Sequence, residues 1–503
     1  MAIRDRAART VVSRGNLGPI GLSLAVLIGC ATPLAVMAQS PQPAAAKPAG
    51  KPVAKPAAAP QPAGPQRSLQ DALSAAYANN PTLQAARATL RSVDENVPAA
   101  LAGWHPTISA TGSAGPGYGT QFNTLTDAKT PENRAVAQSA ITVTQPIYRG
   151  GRTTSATNKA ENQVNTQRAK LIAQEEQTFS DTVNAYVSVI SATQILELNT
   201  NNEQVLQRQL QATNDRFRVG ELTRTDVAQA EAALAGAVAS RQTAEGTLQT
   251  ARATYQRLVG ELPGRLAEPQ PLKLPVKTLE EAKALASSNN PTVVAALFQN
   301  ASDRDNFDLQ YAALMPQASV QAQAAYGQYA SQTRVKTIGA TILAQLTIPI
   351  YQGGAEYAAI RQARQTAEAS ERALQDARNT AVQQVISAWE TYQATKSTIE
   401  SNRSQIRSNE IALEGTEREA LVGSRTTLDV LNAEQALLQS RTSLVQNLAT
   451  LVTNSYQVAS AVGRLTARDL NLNVPYYDET AYYQAVRNRW IGTGDFATDQ
   501  PGR

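Results

Sequence analysis

The chain has 503 residues, with 46 Lys and Arg against 41 Asp and Glu, one His and one Cys. One Cys excludes a disulfide framework and a thiolate metal site, and one His excludes a multi-histidine metal centre. No convergent set of titratable residues stands out, so the sequence predicts no catalytic residues, no cofactor and no metal site. Residues 1–66 hold seven Lys and Arg against one Asp, a net charge of +6, so the rest of the chain has a net charge of −1 and we expect no nucleic-acid binding by it.

The N-terminus has the pattern of an export signal. Arginines precede an apolar stretch over 17–37, which ends at a small-residue cleavage site over 36–38. A membrane anchor is the alternative, but the run is short for a span and Pro33 interrupts it. Leu-Ile-Gly-Cys ending at Cys30 resembles a lipoprotein box, in which the Cys is acylated. We favour cleavage after Ala38, because the apolar run continues past Cys30.

Residues 39–66 form a low-complexity Pro/Ala/Lys segment. Repeated Pro favours extended polyproline II, and the segment has too few large apolar side chains to build a core. We interpret it as a linker in the periplasm.

The remaining sequence consists of two copies of one repeat unit. Asn79-Asn80-Pro81-Thr82 recurs 210 residues later, at 289–292. The Pro-Ile-Tyr-x-Gly-Gly motif at 146–151 recurs at 349–354, and Val219-Gly220 recurs as Val422-Gly423, both 203 residues later. Seven residues are therefore missing from the second copy between these motifs. A period near 200 residues is too long for a solenoid and indicates a duplicated half.

Each half contains two stretches with a period of two. In the second half, apolar side chains alternate with Gly, Thr and Gln over 338–348, and a similar alternation covers 320–327. The first half repeats this over 107–114 and again near 141–147. A period of two with one apolar face predicts half-buried strands, so we expect four strands per chain.

The rest of each half is predicted to be one long helical hairpin. No Pro occurs between Pro146 and Pro263 or between Pro349 and Pro475, and apolar residues recur at steps of three and four. One uninterrupted helix of this kind would be ~100 Å long. Gly220 and Gly423 tolerate the turn that reverses the chain.

Four strands cannot close a barrel, because eight is the usual lower limit and open edges are not tolerated in lipid. Three chains would supply twelve strands, with the polar face lining a water-filled lumen. Together with the export signal, this predicts an outer-membrane barrel. The helical hairpins would project into the periplasm, because they are far longer than a membrane is thick.

From about Ser68 to about Leu472, the sequence resembles the TolC-like outer-membrane efflux protein family. The resemblance rests on the two Asn-Asn-Pro motifs, the Pro-Ile-Tyr-x-Gly-Gly motifs and the stretch from Val422 to Leu431. It implies a mainly α-helical homotrimer with a twelve-stranded transmembrane barrel and a tunnel of antiparallel coiled-coil hairpins. Such proteins are exit ducts for type I protein secretion or multidrug efflux, joined by a periplasmic adaptor to an inner-membrane ABC or RND-type pump. An adaptor contact is implied at Gly220 and Gly423.

The resemblance also implies roles near the periplasmic end of the tunnel. Asp429 matches an acidic ring that constricts the pore, and Asn432 stands where the family often has a second Asp. The alternative for Asp429 is an interaction with the dipole at the start of a helix. Arg425 matches a residue that links the second hairpin to the first and keeps the tunnel shut, with Thr225 and Asp226 as its partners.

The predicted domain organisation has five parts. They are a signal peptide (1–38), a linker (39–66), a first repeat (67–263), a second repeat (264–463) and a C-terminal equatorial tail (464–503). Within the repeats we expect strands at about 107–147 and 317–350, and helical hairpins at about 150–260 and 353–463.

Two further interpretations remain open at this stage. A trimeric coiled-coil surface or periplasmic scaffold protein is the alternative to a channel. The aromatic C-terminal tail, which includes Tyr477, Tyr483 and Trp490, is expected to pack against the equatorial region or to contact the adaptor.

His105 precedes a strand and is expected to be an interface residue.

Overall fold

The computed structural model describes residues 67–329 and 335–494. The predicted signal peptide, the linker and Cys30 lie outside the described residues, as does the end of the tail. The helices are α1 (Leu69–Asn79), α2 (Pro81–Asp94), α3 (Asn96–Leu101), α4 (Arg152–Arg218), α5 (Arg224–Val259), α6 (Leu279–Asn289), α7 (Pro291–Tyr311), α8 (Ala355–Leu421), α9 (Thr427–Ala461) and α10 (Ala481–Val486). The strands are β1 (Thr107–Asn123), β2 (Ala128–Tyr148), β3 (Gln317–Gln328) and β4 (Lys336–Thr347).

The duplication predicted from the sequence is confirmed in the helices. α4 and α8 each contain 67 residues, while α5 contains 36 and α9 contains 35. Each 67-residue helix corresponds to ~100 Å at 1.5 Å per residue. In each half, the long helix and the helix that follows it pack as an antiparallel hairpin. None of the helices in the described part of the chain is long and apolar enough to cross a membrane.

The four strands form one antiparallel sheet in the order β1-β2-β3-β4, as the sequence predicts. Directly opposed residues of antiparallel strands lie on the same face of a sheet. One such row is apolar across all four strands, and the adjacent row is polar. The apolar row is Ile108, Val143, Ala322 and Ile342. The polar row is Ser109, Thr142, Gln323 and Thr341.

The sheet is curled, and its polar face is the concave one. The side chains that line the concave side include Thr111, Ser113, Gln138, Gln323 and Thr341. The convex face carries exposed branched side chains such as Ile342. The alternation read from the sequence therefore separates an apolar outer surface from a polar inner surface.

The first pair of strands is longer than the second. Pairing between β1 and β2 runs from Thr107 to Asn123, whereas β2 pairs with β3 only as far as Ala137. At the opposite end of β2, the register shifts between Pro146 and Tyr148. Pro lacks the backbone N–H that a ladder bond requires, which accounts for the irregularity at this position.

The Asn-Asn-Pro motifs begin helices that the sequence analysis did not predict. Asn80 caps α2, where its Oδ1 accepts from the backbone N–H of Thr82 at 2.9 Å and Pro81 occupies the first helical position. Asn290 caps α7 in the same way. These shorter helices lead into β1 and β3, so each strand pair is entered from a capped helix.

The largest apolar cluster surrounds the middle of α4. It brings together α1, α2, α4, α5, α9 and the segment after α9, with aromatic side chains from several of them. Arg87 is 2% exposed and lies 4.4 Å from the Tyr77 ring centroid and 5.3 Å from that of Tyr477. This cationic side chain is thus accommodated between two aromatic rings, at the level where the C-terminal segment returns to the first repeat.

Candidate functional site: the hairpin tips

The two hairpin turns, here called the tips, have the same backbone geometry. Gly220 has φ +84° and Gly423 has φ +81°. The N–H of Gly220 donates to the carbonyl of Phe217 at 3.0 Å, and that of Gly423 donates to the carbonyl of Ala420 at 3.3 Å. A Cβ atom at either glycine would meet nothing within 4 Å. The left-handed backbone, rather than crowding, therefore favours Gly at each turn.

The helix that follows each tip begins with a capping box. The backbone N–H of Thr223 donates to Asp226 Oδ2 at 2.9 Å, and that of Asp226 donates to Thr223 Oγ1 at 3.3 Å. Thr426 and Asp429 form the same two bonds at 3.0 and 3.2 Å. Asp429 thus caps the start of α9 within its own chain.

These bonds favour the ionised form of both carboxyls. The hydrogen bond from the Thr426 backbone lowers the pKa of Asp429. The hydrogen bond from the Thr223 hydroxyl lowers the pKa of Asp226. Each chain therefore presents a negatively charged carboxylate at the first turn after each tip.

The charged pairs at the tips are inverted between the two repeats. Arg425 Nε lies 2.9 Å from Glu419 Oε2, so the Arg follows the second tip and the Glu precedes it. Arg216 Nε lies 3.0 Å from Glu221 Oε2, so at the first tip the Arg comes first. The hydrogen bond to Glu419 raises the pKa of Arg425. Both pairs are exposed, and each spans its own turn.

Within one chain, the predicted site residues lie on the two tips and on the first turns of the helices that follow them. Thr225 is exposed on the first turn of α5, and Asn432 is exposed one turn after Asp429. Arg425 is paired with Glu419 of its own hairpin. The link from Arg425 to Thr225 and Asp226 stays a prediction, and so does the acidic ring.

Three tip residues were missed by the sequence analysis. Thr223 and Thr426 hold the two aspartates, and Glu419 holds Arg425. The two threonines had a readable signal, because Thr-x-x-Asp before an apolar helix is a capping-box pattern. Glu419 had no readable sequence signal, because its partner Arg425 lies across a turn whose geometry is set by the left-handed backbone of Gly423.

The ends of the tips are apolar. Val422 is 80% exposed, and Val219 and Leu421 are exposed to a similar extent. Exposed clusters of large apolar side chains commonly mark contacts with another protein. The adaptor contact at Gly220 and Gly423 is not tested by a single chain and stays a prediction.

Far from the tips, two carboxyls of α4 hold the C-terminal segment (residues 464–494): Glu176, which is buried, and Glu175, which is partly buried. The N–H of Ala467 donates to Glu175 Oε1 at 2.6 Å, and the N–H of Leu465 donates to Glu176 Oε1 at 3.3 Å. Burial raises the pKa of Glu176 to about 8 and also raises the pKa of Glu175. The start of the C-terminal segment is thus attached to α4, and the equatorial role of the tail stays a prediction.

Comparison with known proteins identifies the class to which this architecture belongs. The family model described as "Outer membrane efflux protein" matches residues 72–261 and 284–464. The chain belongs to this family of outer-membrane efflux channels. Members of this family are export channels of the outer membrane. The sequence-based predictions of an outer-membrane location and of an export channel are therefore confirmed.

Individual relatives agree with this assignment. The outer membrane efflux protein BepC of Brucella suis biovar 1 (strain 1330) is 34% identical over 436 residues, which cover 84% of this chain and 91% of BepC. The outer membrane protein TolC of Vibrio cholerae is 24% identical over 412 residues, which cover 80% of this chain and 92% of that protein. The Campylobacter jejuni CmeC outer membrane channel is 14% identical, with a TM-score of 0.71 over 79% of this chain and 86% of CmeC.

Proposed function

We propose that three copies of this chain form one closed channel, an exit duct for type I protein secretion or multidrug efflux. The observation that carries this proposal is the four-stranded sheet, which has a polar concave face, an apolar convex face and two open edges, β1 and β4. Open edges are costly in lipid, because their backbone groups find no water. Pairing β4 of one copy with β1 of the next removes the edges, and three copies supply twelve strands.

The helical hairpins then extend the lumen into the periplasm as a tunnel. Three copies of Asp429 at the end of that tunnel form an acidic ring that attracts cations. The capping bonds to Thr426 support this role, because they keep the carboxylate ionised and fix its position. Asn432, one turn further along α9, adds a neutral ring.

The closed state is proposed to depend on contacts between hairpins. Arg425 reaches Thr225 and Asp226 of the first hairpin, in competition with Glu419 of its own hairpin. A single exposed ion pair contributes little, so closure requires the same contact in all three copies. Opening then consists of moving the second hairpin away from the first.

The channel is a passive conduit, so transport energy comes from its partners. We propose a periplasmic adaptor that contacts the tips around Gly220 and Gly423, and an inner-membrane pump of the ABC or RND type. The exposed apolar side chains at the tips, such as Val422, support an adaptor contact at this end.

The first repeat is assigned to 67–263, the second to 264–463 and the equatorial tail to 464–503.

The test combines stoichiometry with conductance. Purified full-length protein in detergent is examined by native mass spectrometry, and the same sample is added to planar bilayers. A trimeric mass together with discrete ion conductance supports the proposal. A trimer that conducts no ions, with or without its tips opened by substitution, would instead indicate a scaffold. Co-purification with an ABC or an RND-type pump then identifies the export pathway.

A further inference from the structure

The C-terminal segment follows α4 from the middle of the molecule towards the sheet. It is first held at Glu175 and Glu176, and 14 residues nearer the start of α4 it meets Glu161. Arg487 lies 2.8 Å from Glu161 there. That interval corresponds to ~21 Å along the helix. Because α4 begins directly after β2, the segment approaches the periplasmic edge of the sheet.

The segment reaches this edge at Trp490. The Trp490 ring stacks on His105, with 4.0 Å between the ring centroids and 25° between the planes. His105 lies two residues before the first residue of β1. An interface role is predicted for His105 from the sequence, and within its own chain its ring contacts Trp490.

The last described part of the segment exposes two large apolar side chains. Trp490 is 65% exposed and Ile491 is 85% exposed, while Val486, at the end of α10, is buried. The nearby Trp104 is also exposed, and Ile108 begins the apolar convex face of the sheet. Large exposed apolar groups that continue a lipid-facing surface fit the interfacial zone, where Trp is enriched.

We propose that Trp490 and Ile491 insert into the interfacial layer of the periplasmic leaflet of the outer membrane. The partner is the phospholipid surface, and continuity with the apolar face at Ile108 is the reason to choose it. Arg487 pairs with Glu161 close by and keeps the chain on α4. The segment then connects its attachment at Glu175 and Glu176 on α4 directly to the membrane. This proposal rests on the outer-membrane location and is independent of the number of subunits.

The test uses Trp490 as its own reporter. The chain contains three Trp residues, so Trp104→Phe with Trp389→Phe leaves Trp490 as the sole one. The full chain is reconstituted into vesicles of phosphatidylethanolamine and phosphatidylglycerol, with or without lipids brominated in the upper acyl chain. We expect blue-shifted emission, loss of most of the fluorescence with brominated lipid, and weak quenching by aqueous iodide.

The matched control is Trp104→Phe with Trp490→Phe, which leaves only Trp389 on α8. Trp389 packs beside the buried Val385 in a smaller apolar cluster formed by α6, α7, α8 and α9, far from the sheet, so brominated lipid should not quench it. If the double variants fold poorly, Trp490→Phe in the otherwise unchanged chain is used instead. The fluorescence of this variant is subtracted from that of the wild type to give the signal of Trp490.

Two results would overturn the proposal. Quenching of Trp490 by iodide but not by brominated lipid would place the end of the segment in water. Quenching by neither would place it in a contact between subunits, for example against the exposed Tyr351 beyond β4 of a neighbouring copy.

Discussion

Asn80 Nδ2 donates to the carbonyl of Leu258 at 3.2 Å, across 178 residues of sequence. The bond joins the N-terminus of α2 to the last turn of α5, so the two helices meet end to end beside α4. Asn290 Nδ2 donates to the carbonyl of Ala461 at 3.1 Å and joins α7 to α9 in the same way. In each half, two shorter helices placed end to end therefore pack along one long helix.

The first prediction concerns this junction. Asn80→Ala removes the helix cap of α2 and leaves the carbonyl of Leu258 without its buried donor. We expect a loss of about 1–3 kcal/mol in the free energy of unfolding. The measurement is denaturant unfolding of the detergent-solubilised protein, followed by helical circular dichroism. Asn79→Ala is the control, because Asn79 is exposed beside the junction. Equal stability of the two variants would show that the Leu258 bond contributes nothing.

The second prediction concerns the two faces of the sheet. Ile342→Arg places a charge on the convex face, where lipid contact costs ~2–4 kcal/mol near the bilayer midplane. Thr341→Arg places the same charge on the adjacent concave row. We expect Ile342→Arg to reduce the fraction of protein that assembles in liposomes. Thr341→Arg should assemble normally and shift ion selectivity towards anions. The opposite ranking in a liposome folding assay would reverse the assignment of the faces.

The third prediction concerns the acidic ring. Asp429→Asn keeps an oxygen that can accept from Thr426 but removes the negative charge. We expect a lower preference for cations over anions in planar bilayers, because three charges leave the narrowest part of the pore. Asp376→Asn, an exposed acid on α8, is the control. Unchanged reversal potentials in a salt gradient would restrict Asp429 to its capping role.

The fourth prediction concerns closure at the tips. Arg425→Ser is expected to raise the conductance of the resting channel, because it removes the proposed link to Thr225 and Asp226. Arg418→Ser is the control, because Arg418 pairs with Glu414 one turn before it on the same helix. Single-channel recording also separates two possible partners. If Arg425 acts through Asp226, Asp226→Asn should reproduce the effect and Glu419→Gln should not.

The fifth prediction concerns pH and the attachment of the C-terminal segment. Burial, with a smaller contribution from the nearby Glu175 and Asp469, raises the pKa of Glu176 from 4.5 to about 8. The folded protein therefore keeps a proton that the unfolded chain has released, so stability falls as pH rises between 4.5 and about 8.

Glu176→Gln keeps an acceptor for the N–H of Leu465 but cannot ionise. The melting temperature of this variant should fall less over the same pH window than that of the wild type, as measured by thermal circular dichroism. Glu197→Gln, an exposed change on the same helix, should follow the wild type. Parallel curves for all three proteins would show that Glu176 does not carry the pH dependence.

The long-range contacts were not predictable from the sequence, although the motifs that make them were visible. The two Asn-Asn-Pro motifs indicated duplication, but nothing local indicates that Asn80 bonds to Leu258. Likewise, the resemblance pointed to Asp429 as a pore residue, whereas its bonds to Thr426 follow from local capping. His105 and Trp490 are separated by most of the chain, and only the path of the C-terminal segment along α4 brings them together.

The sequence by itself determined the duplication, the four amphipathic strands, the length of the Pro-free helices and the turns at Gly220 and Gly423. These features depend on periodicity and backbone preference, which act between residues close in sequence. The tertiary structure decided which helix ends meet, which residues oppose one another across the sheet, and which carboxyls of α4 hold the C-terminal segment. These outcomes depend on packing between residues far apart in sequence, and a local pattern does not encode such pairings.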